Sequence, residues 1–363
     1  MHLFKTIKEM IIMQKKAYII TFYDEINYGA ALQAYAVQSV LKAKGYLPEF
    51  LGVSLASFKK EEKSFSPLNL VFKFINKKKV DSFKKFRKQE FSVFCDGTTY
   101  DELIKKNPEC DLLVCGSDQI WNPLITSGFQ PFYFGKGIKA KTKISYAASC
   151  GKFDLLENDF QAFKNMASEL KAISVREKTT SDFLNNKGIT NCVVSDPTLL
   201  LPQKEWAELS EKSKLDSATI AGDYIFVYDL DPTEQFTSLV NKVSEETGMK
   251  VVSLRNKSHY LNNDIRFPDA SPYDFLKLIN NASMVISNSY HAMLFSSIFK
   301  KQCYIVSHSK YSERMVDFLK LFDVAFENNI ANVDFSRKDS LQLLSMIEAS
   351  HSFINNCIED FNE

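Results

Sequence analysis

Short apolar runs that end in a polar turn and pass straight into a helical stretch recur along this chain, and that order admits few folds. The first run is 17–22 (AYIITF), followed by a loop holding Asn27-Tyr28-Gly29. A helix is predicted over 30–44, with Leu32, Tyr35, Ala36, Val37, Val40 and Leu41 on its apolar face. Gly45 ends it, and 48–53 makes the next strand. Strand, loop, helix, strand implies a parallel sheet with right-handed crossovers, because parallel neighbours can be joined only by a connection that runs back across the sheet.

Residues 56–106 interrupt this rhythm, being rich in Lys and Phe and poor in β-branched residues. It returns at 111–115 (DLLVC), running into Gly116-Ser117-Asp118, and at 144–148 (ISYAA), ending in Ser149-Cys150-Gly151. Residues 172–175 lead into Arg176-Glu177, a helix is predicted over 179–186, and 192–194 lead into Asp196-Pro197. Pro197 and Pro202 bracket a connection, after which the pattern restarts. Strands are predicted at 224–228, 250–254, 284–286 and 302–306. Helices are predicted at 233–247 and at 272–280, the second with Ser271 as cap and Pro272 in the first helical position. The last unit is Met284-Val285-Ile286, then Ser287 to His291, then a helix over 292–299. The expected class is α/β, with two Rossmann-like domains facing a cleft. The expected boundaries are an N-terminal extension 1–12, a first domain 13–200, a second domain 201–335 and a C-terminal helical segment 336–363.

Composition narrows the classes of function. A net charge of +1 gives no bulk field for nucleic acid. Seven cysteines, an odd count with no CxxC pair, argue against a disulfide framework or zinc knuckle and fit a reducing cytoplasm. No apolar run reaches the roughly 18 residues of a transmembrane helix, and the first residues are too short and interrupted for a secretory signal. GxGxxG, Walker and HExxH motifs are absent, so neither a nucleotide cofactor nor a metal is expected.

In an open α/β sheet the strand-to-turn junctions converge on one crevice. Candidate cleft residues are therefore Asn27, Tyr28, Gly29, Gly116, Ser117, Asp118, Ser149, Arg176, Glu177, Ser289, Tyr290 and His291. His291 at its turn can donate to an anion or transfer a proton near pH 7. The guanidinium of Arg176 can hold a carboxylate or phosphate in a bidentate fork. Against these stand plainer roles: Arg176 pairing with Glu177, Gly116 to Asp118 capping a helix over Trp121, and Asn27 to Gly29 as turn chemistry. His259 and His308 read as surface or loop histidines, with His308 a secondary cleft candidate because it follows a strand. The basic stretch 71–91 places Phe72, Ile75, Phe83 and Phe86 near helical spacing among lysines. It reads either as a domain helix with a solvated face or as a peripheral contact with the inner membrane face.

Six blocks in order carry a resemblance: FYDEINYGAALQAYAVQSVLKAKGY, DLLVCGSDQIWNP, SYAASCG, ISVREKTTSDFL, VVSDPTLLL and VISNSYHAMLFSSIFKK. Over about residues 17–325 the chain resembles the polysaccharide pyruvyl transferase family. The resemblance implies a GT-B-like fold and transfer of pyruvate from phosphoenolpyruvate to a sugar, usually as a cyclic ketal. It implies a cytoplasmic transferase of surface-polysaccharide, exopolysaccharide or cell-envelope synthesis, acting on a glycan or lipid-linked saccharide, with phosphoenolpyruvate as donor substrate and no cofactor. Arg176 matches the family's basic residue for phosphoenolpyruvate and His291 its histidine, so the resemblance implies these two as the catalytic pair. Ser289-Tyr290 stands where members often carry Arg-Leu, which removes one cation. Gly29-Ala30 stands where many have Gly-Asp, so an acidic role would fall to Asp24, Glu25 or Asp118. Arg314 also resembles a family block, but its helical setting reads as a surface ion pair. Two other readings stay open: a GT-B-type glycosyltransferase using a nucleotide sugar, and a noncatalytic glycan-assembly binding protein.

Overall fold

The computed structural model describes residues 15–58, 77–151, 154–216, 220, 222–231, 233–255, 260, 264–307 and 312–359. The first sheet contains β1 (Lys15–Ile20), β2 (Tyr46–Val53), β3 (Val93–Thr98), β4 (Glu109–Cys115) and β5 (Lys139–Ser145). They lie in the order 3-2-1-4-5 and every pair is parallel. Two short parallel strands, β6 (Ser174–Val175) and β7 (Cys192–Val193), continue the row, because Ala172 and Val175 bridge to Ile144 and Ala148 beyond β5. The second sheet holds β8 (Tyr224–Tyr228), β9 (Lys250–Ser253), β10 (Asp264–Arg266), β11 (Met284–Ser287), β12 (Gln302–Val306) and β13 (Ile330–Asp334). Its order is 10-9-8-11-12-13, antiparallel only between β12 and β13. Counted from its own first strand, each sheet has the Rossmann order, and the reversal point beside the first strand opens a crevice at the carboxyl edge.

Several boundaries differ from expectation for identifiable reasons. β5 covers 139–145 rather than 144–148. Its early lysines alternate toward solvent because two-residue β6 flanks only its end, and Ala147 takes a left-handed turn with φ 50°. β3, β10 and β13, which were not expected, are short or polar segments recruited by neighbours already in the sheets.

Helix α1 (Tyr28–Ala43) is capped by Asn27, and most of its first three turns are buried between the lobes. Helix α2 (Lys77–Glu90) lies in the stretch where the strand rhythm fails. Phe83 and Phe86 on it are 0 % exposed, while Lys77, Lys78, Lys84, Lys85 and Lys88 face outward. These phenylalanines are therefore not available to a lipid surface; Phe72 and Ile75 lie outside the described residues. Among the described residues no helix is long and apolar enough to cross a membrane.

One hydrophobic core runs through both sheets. Tyr28 stacks on Phe275 of the second lobe with ring centroids 4.7 Å apart and planes 8° from parallel. Its hydroxyl donates to the Ala270 carbonyl at 2.8 Å. Phe83 packs on Tyr28 at 5.0 Å and Phe86 on Tyr273 at 4.9 Å. Phe275 and Tyr273 belong to helix α3 (Pro272–Asn281), whose start is fixed by a capping box of Ser271 and Asp274. Helix α4 (Tyr290–Ile298) follows β11, and helix α5 (Ser312–Lys320) follows β12. The last helix, α6 (Leu341–Glu359), returns to the first lobe, where Ser350 Oγ accepts from the Ser195 amide at 2.8 Å and Phe353 meets Tyr146.

This packing has a measurable consequence. Phe86→Ala should cost about 3–5 kcal/mol in urea unfolding, because it leaves a cavity between the lobes. Lys85→Ala, at the preceding residue and exposed, should stay within about 0.5 kcal/mol of the parent.

Candidate active site

The carboxyl ends of β1, β4, β8 and β11 surround a cleft of about 490 Å³, in the usual range for a small-molecule site. Its polar wall includes Glu25, Asn27, Asp118, Ser289, His291 and Arg314. Phe22, Leu55 and Leu230 are part of an apolar wall. Asn288 ties the β11 turn to the β8 turn, accepting from the Leu230 amide at 2.8 Å and donating to the Asp231 carbonyl at 3.0 Å.

The three residues of the first loop separate in role. Asn27 accepts from the Ala30 amide at 3.1 Å and lines the cleft. Tyr28, expected to bind ligand, is 1 % exposed and belongs to the interlobe core. Its ring stacks on Phe275 of α3 and its hydroxyl is taken by the Ala270 carbonyl, which turn it away from the cleft. Gly29 supplies room. A Cβ there would lie 2.0 Å from His291 Nδ1, so the imidazole rests directly on the Gly29 backbone.

Helix α4 begins at Tyr290, two residues earlier than expected, because Ser289 caps it by accepting from the Ala292 amide. His291 therefore sits in the first helical turn rather than in the loop before it. Tyr290 lines the cleft, with its ring centroid 5.3 Å from Arg176 Cζ and 5.2 Å from Arg314 Cζ. Arg314 on α5 lines the cleft too, correcting its expected place in a surface ion pair. It comes within reach of the position where Ser289-Tyr290 replaces the family's Arg-Leu.

The residues after β4 to β7 form a buried floor. Gly116 has φ 120°, and a Cβ on it would meet the Tyr146 carbonyl at 2.3 Å. Ser117 is fully buried, so neither it nor Gly116 faces the cleft. Ser149 Oγ donates to Glu177 Oε1 at 2.6 Å, and both residues lie under the cleft rather than on its wall. Arg176 is also buried here. Its Nη1 donates to Asp196 Oδ2 at 2.7 Å, its Nε lies 3.5 Å from Glu177, and its Nη2 lies 4.0 Å from Asp118. Arg176 does not itself line the cleft, whereas its neighbours Tyr290 and Asp118 do. Asp196 itself was passed over in the sequence, although it follows a strand as the chosen residues do. Its Oδ1 accepts from the Thr198 amide and hydroxyl at 3.0 and 2.8 Å. Its Oδ2 also lies 3.7 Å from His291 Nε2. His259 and His308 lie outside the described residues.

Charge states follow from burial and neighbours. Burial pushes the His291 pKa below its ordinary value of 6.5, against the pull of Asp196 and Asp118. The imidazole is therefore neutral at pH 7. Burial favours a protonated Asp196, but His291, Arg176 and the Thr198 donors outweigh it and hold the carboxyl below the usual range. Burial opposes the charge of Arg176, yet Glu177 and Asp196 raise its pKa, so it stays a cation. Burial and then the nearby Arg176 charge lower the Arg314 pKa. Arg176 Nε and Nη2, Glu177 Oε2 and His291 Nε2 are buried without a hydrogen-bond partner among the described residues. Among the described residues no cluster of His, Cys, Asp and Glu is arranged to hold a metal ion.

Two Rossmann-like lobes around a crevice define the GT-B-like class. The chain is similar in fold to a crystal structure of UDP-N-acetylglucosamine 2-epimerase, at TM-score 0.53 and 10 % identity over 96 % of each chain. It is likewise similar to a putative UDP-N-acetylglucosamine 2-epimerase from Listeria monocytogenes, at TM-score 0.51 and 10 % identity over 83 % of this chain and 82 % of that one. The Neisseria meningitidis UDP-GlcNAc 2-epimerase bound to UDP-GlcNAc gives TM-score 0.50 and 10 % identity over 96 % of this chain and 100 % of that one. No curated protein matches the chain. The polysaccharide pyruvyl transferase profile matches residues 27–310, and the chain belongs to that family of transferases.

Gly29→Ala should destabilise the protein by about 1–3 kcal/mol through overpacking against His291. In a His291→Ala background most of that cost should vanish, which a double-mutant cycle by chemical denaturation measures. The lowered His291 pKa gives a second expectation. As pH falls below 6.5, the unfolded chain takes up the proton first, so stability is full above pH 6.5 and is lost toward the folded-state pKa. His291→Gln should flatten that part of the stability curve.

Proposed function

We propose that this transferase moves pyruvate from phosphoenolpyruvate onto two hydroxyls of a sugar in a surface-polysaccharide or cell-wall precursor, forming a cyclic ketal. The observation that carries the reading is the meeting of Arg314 and His291 at the N-terminal end of α4 in one cleft. Phosphoenolpyruvate is a small, multiply charged anion. A guanidinium and the amides at a helix N-terminus are suited to hold its phosphate and carboxylate. A second helix N-terminus, that of α1, adds its partial charge through the Asn27 turn.

The chemistry has a simple balance. A proton adds to the enol methylene, which becomes a methyl group, and positive charge develops at the neighbouring carbon. One sugar hydroxyl attacks that carbon, phosphate leaves, and the second hydroxyl closes the ketal. Two hydroxyl protons are released; one is matched by the proton in the new methyl group and the other leaves with phosphate. His291 is neutral in the empty site, and the charge of a bound dianion favours its protonation. Its imidazolium then serves as the acid. Glu25 and Asp118 line the same cleft, where an acceptor hydroxyl can reach them. The reaction calls for no cofactor, and the donor places it in the cytoplasm, acting on a glycan or lipid-linked saccharide.

Incubation with phosphoenolpyruvate and a panel of saccharide acceptors should release phosphate and add a pyruvate ketal, read by phosphorus NMR and mass spectrometry. His291→Ala should lower turnover by about 100-fold or more. Phosphoenolpyruvate at about 100 times its Kd should stabilise the fold by about 2.7 kcal/mol in thermal or urea unfolding. Stabilisation by UDP-N-acetylglucosamine and not by phosphoenolpyruvate would instead favour a nucleotide-sugar enzyme, the ligand seen in the Neisseria protein of like fold.

A further inference from the structure

We infer that Gln119 determines specificity for the acceptor saccharide: its side-chain amide presents N–H donors to the cleft, where they hold an oxygen of a neutral sugar. Asn122 and Gly151 are positioning residues that fix the direction of that amide. The inference rests on the pyruvyl-transfer reading and adds how the acceptor is recognised.

The orientation follows from hydrogen-bond chemistry. The Leu124 amide is a donor, so the side-chain atom of Asn122 that it meets at 3.0 Å must be the oxygen, Oδ1. Asn122 therefore turns its nitrogen, Nδ2, toward Gln119, 2.8 Å away. That nitrogen can only donate, so Gln119 answers with Oε1. Its own nitrogen, Nε2, is left at the other end of the amide. Nε2 makes no hydrogen bond among the described residues and is accessible to solvent, and Gln119 lines the cleft. Its donors thus open on the cleft.

The support is fixed by the backbone. Gln119 follows β4 in a turn where the Ser149 amide donates to the Asp118 carbonyl at 3.0 Å and the Trp121 amide to the Ser149 carbonyl at 3.1 Å. The Trp121 indole is fully buried and stacks on Phe134 with ring centroids 5.3 Å apart. Gly151 leaves the space that the two amides occupy. A Cβ there would lie 2.6 Å from both Asn122 Nδ2 and Gln119 Oε1.

The neighbouring groups indicate what is bound. The Gln119 backbone amide donates to Asp118 Oδ1 at 2.8 Å, while Asp118 Oδ2 makes no hydrogen bond among the described residues. A carboxylate oxygen and an amide donor pair therefore stand on consecutive cleft residues. Two hydroxyls of one sugar are their complement, one donating to Asp118 and one accepting from Gln119. Phe22 and Ile125 line the same cleft and offer an apolar surface to the C–H face of the ring. With Glu25 and Asp118 both acidic, like charge disfavours a sugar acid here.

The test reads the amide directly. In isotope-labelled protein the Gln119 side-chain amide resonances, assigned by their loss in Gln119→Glu, should shift on titration with a panel of methyl glycosides of glucose, galactose, mannose and N-acetylglucosamine. For a glycoside that binds, the monodeoxy analogue lacking the contacted oxygen should bind the parent about tenfold more weakly. Gln119→Ala should bind the two within about twofold of each other. In steady-state assays of variants that retain the parent fold by circular dichroism, Gln119→Glu should raise the acceptor KM about tenfold, with KM for phosphoenolpyruvate within about twofold. Asn122→Asp keeps the cap on the Leu124 amide but removes the donor that pins Oε1, so the Gln119 amide turns over. It should raise the acceptor KM likewise, and should cost nothing further in a Gln119→Ala background.

Gln119 amide resonances that stay in place with every glycoside of the panel overturn the inference. So does equal discrimination against the deoxy analogues in the parent and in Gln119→Ala, which would make Gln119 a structural residue of the turn. Glycoside binding needs no donor. Amide shifts in a protein that releases no phosphate from phosphoenolpyruvate would refute the pyruvyl-transfer reading and leave the saccharide contact standing. Ketal formation with an unchanged acceptor KM in Gln119→Glu would do the reverse.

Discussion

A single buried carboxylate holds together the chemistry of both lobes. Asp196 carries full charge with no solvent access, a state that costs several kcal/mol unless every lone pair is answered. Three donors answer it, the Thr198 amide and hydroxyl and Arg176, and His291 Nε2 lies 3.7 Å away across the lobe boundary. Removing one partner from such a group is far more costly than removing a surface pair. Gly29 belongs to the same constraint, since the imidazole reaches Asp196 only where no side chain stands above the α1 N-terminus.

That contact needs two lobes that do not drift, and the core provides this. Tyr28, Phe83, Phe86, Tyr273 and Phe275 interleave between the sheets as one aromatic layer. The ion pairs at its edge, Lys212 with Glu90 among them, are partly exposed and add direction more than energy. Adjacent residues at the start of α1 therefore serve different ends: Tyr28 fixes the lobes to each other, Asn27 faces the cleft, and Gly29 clears space for His291. The basic helix belongs to this layer through its two buried phenylalanines, which explains why an apparently amphipathic lysine-rich stretch occurs in a compact α/β protein.

Much of the fold was legible. The runs at 224–228 and 302–306 match β8 and β12 residue for residue, because both are apolar runs ended by residues that cannot continue a buried strand. Capping chemistry placed Ser271 and Pro272 at the start of α3. The site was legible in part, through the rule that strand ends converge. Asn27, Asp118, Ser289, Tyr290 and His291 do line the cleft. The rule could not separate residues at the surface of the crevice from those below it, so Tyr28, Gly116, Ser117, Ser149, Arg176 and Glu177 were grouped with them. Arg314 was misplaced for the converse reason. Helical spacing shows which residues share a face of α5, but what packs against that face depends on the partner helix.

Local order along the chain determined that there would be two parallel sheets of Rossmann type, their crevice at the carboxyl edge, and a histidine at its centre. These follow from short-range patterning, which each segment carries by itself. Only the tertiary structure decided which groups meet: Asp196 near His291, Arg176 beneath Tyr290, and Arg314 on the cleft wall. Electrostatic energy depends on distance and burial in three dimensions, and no spacing along the chain encodes either.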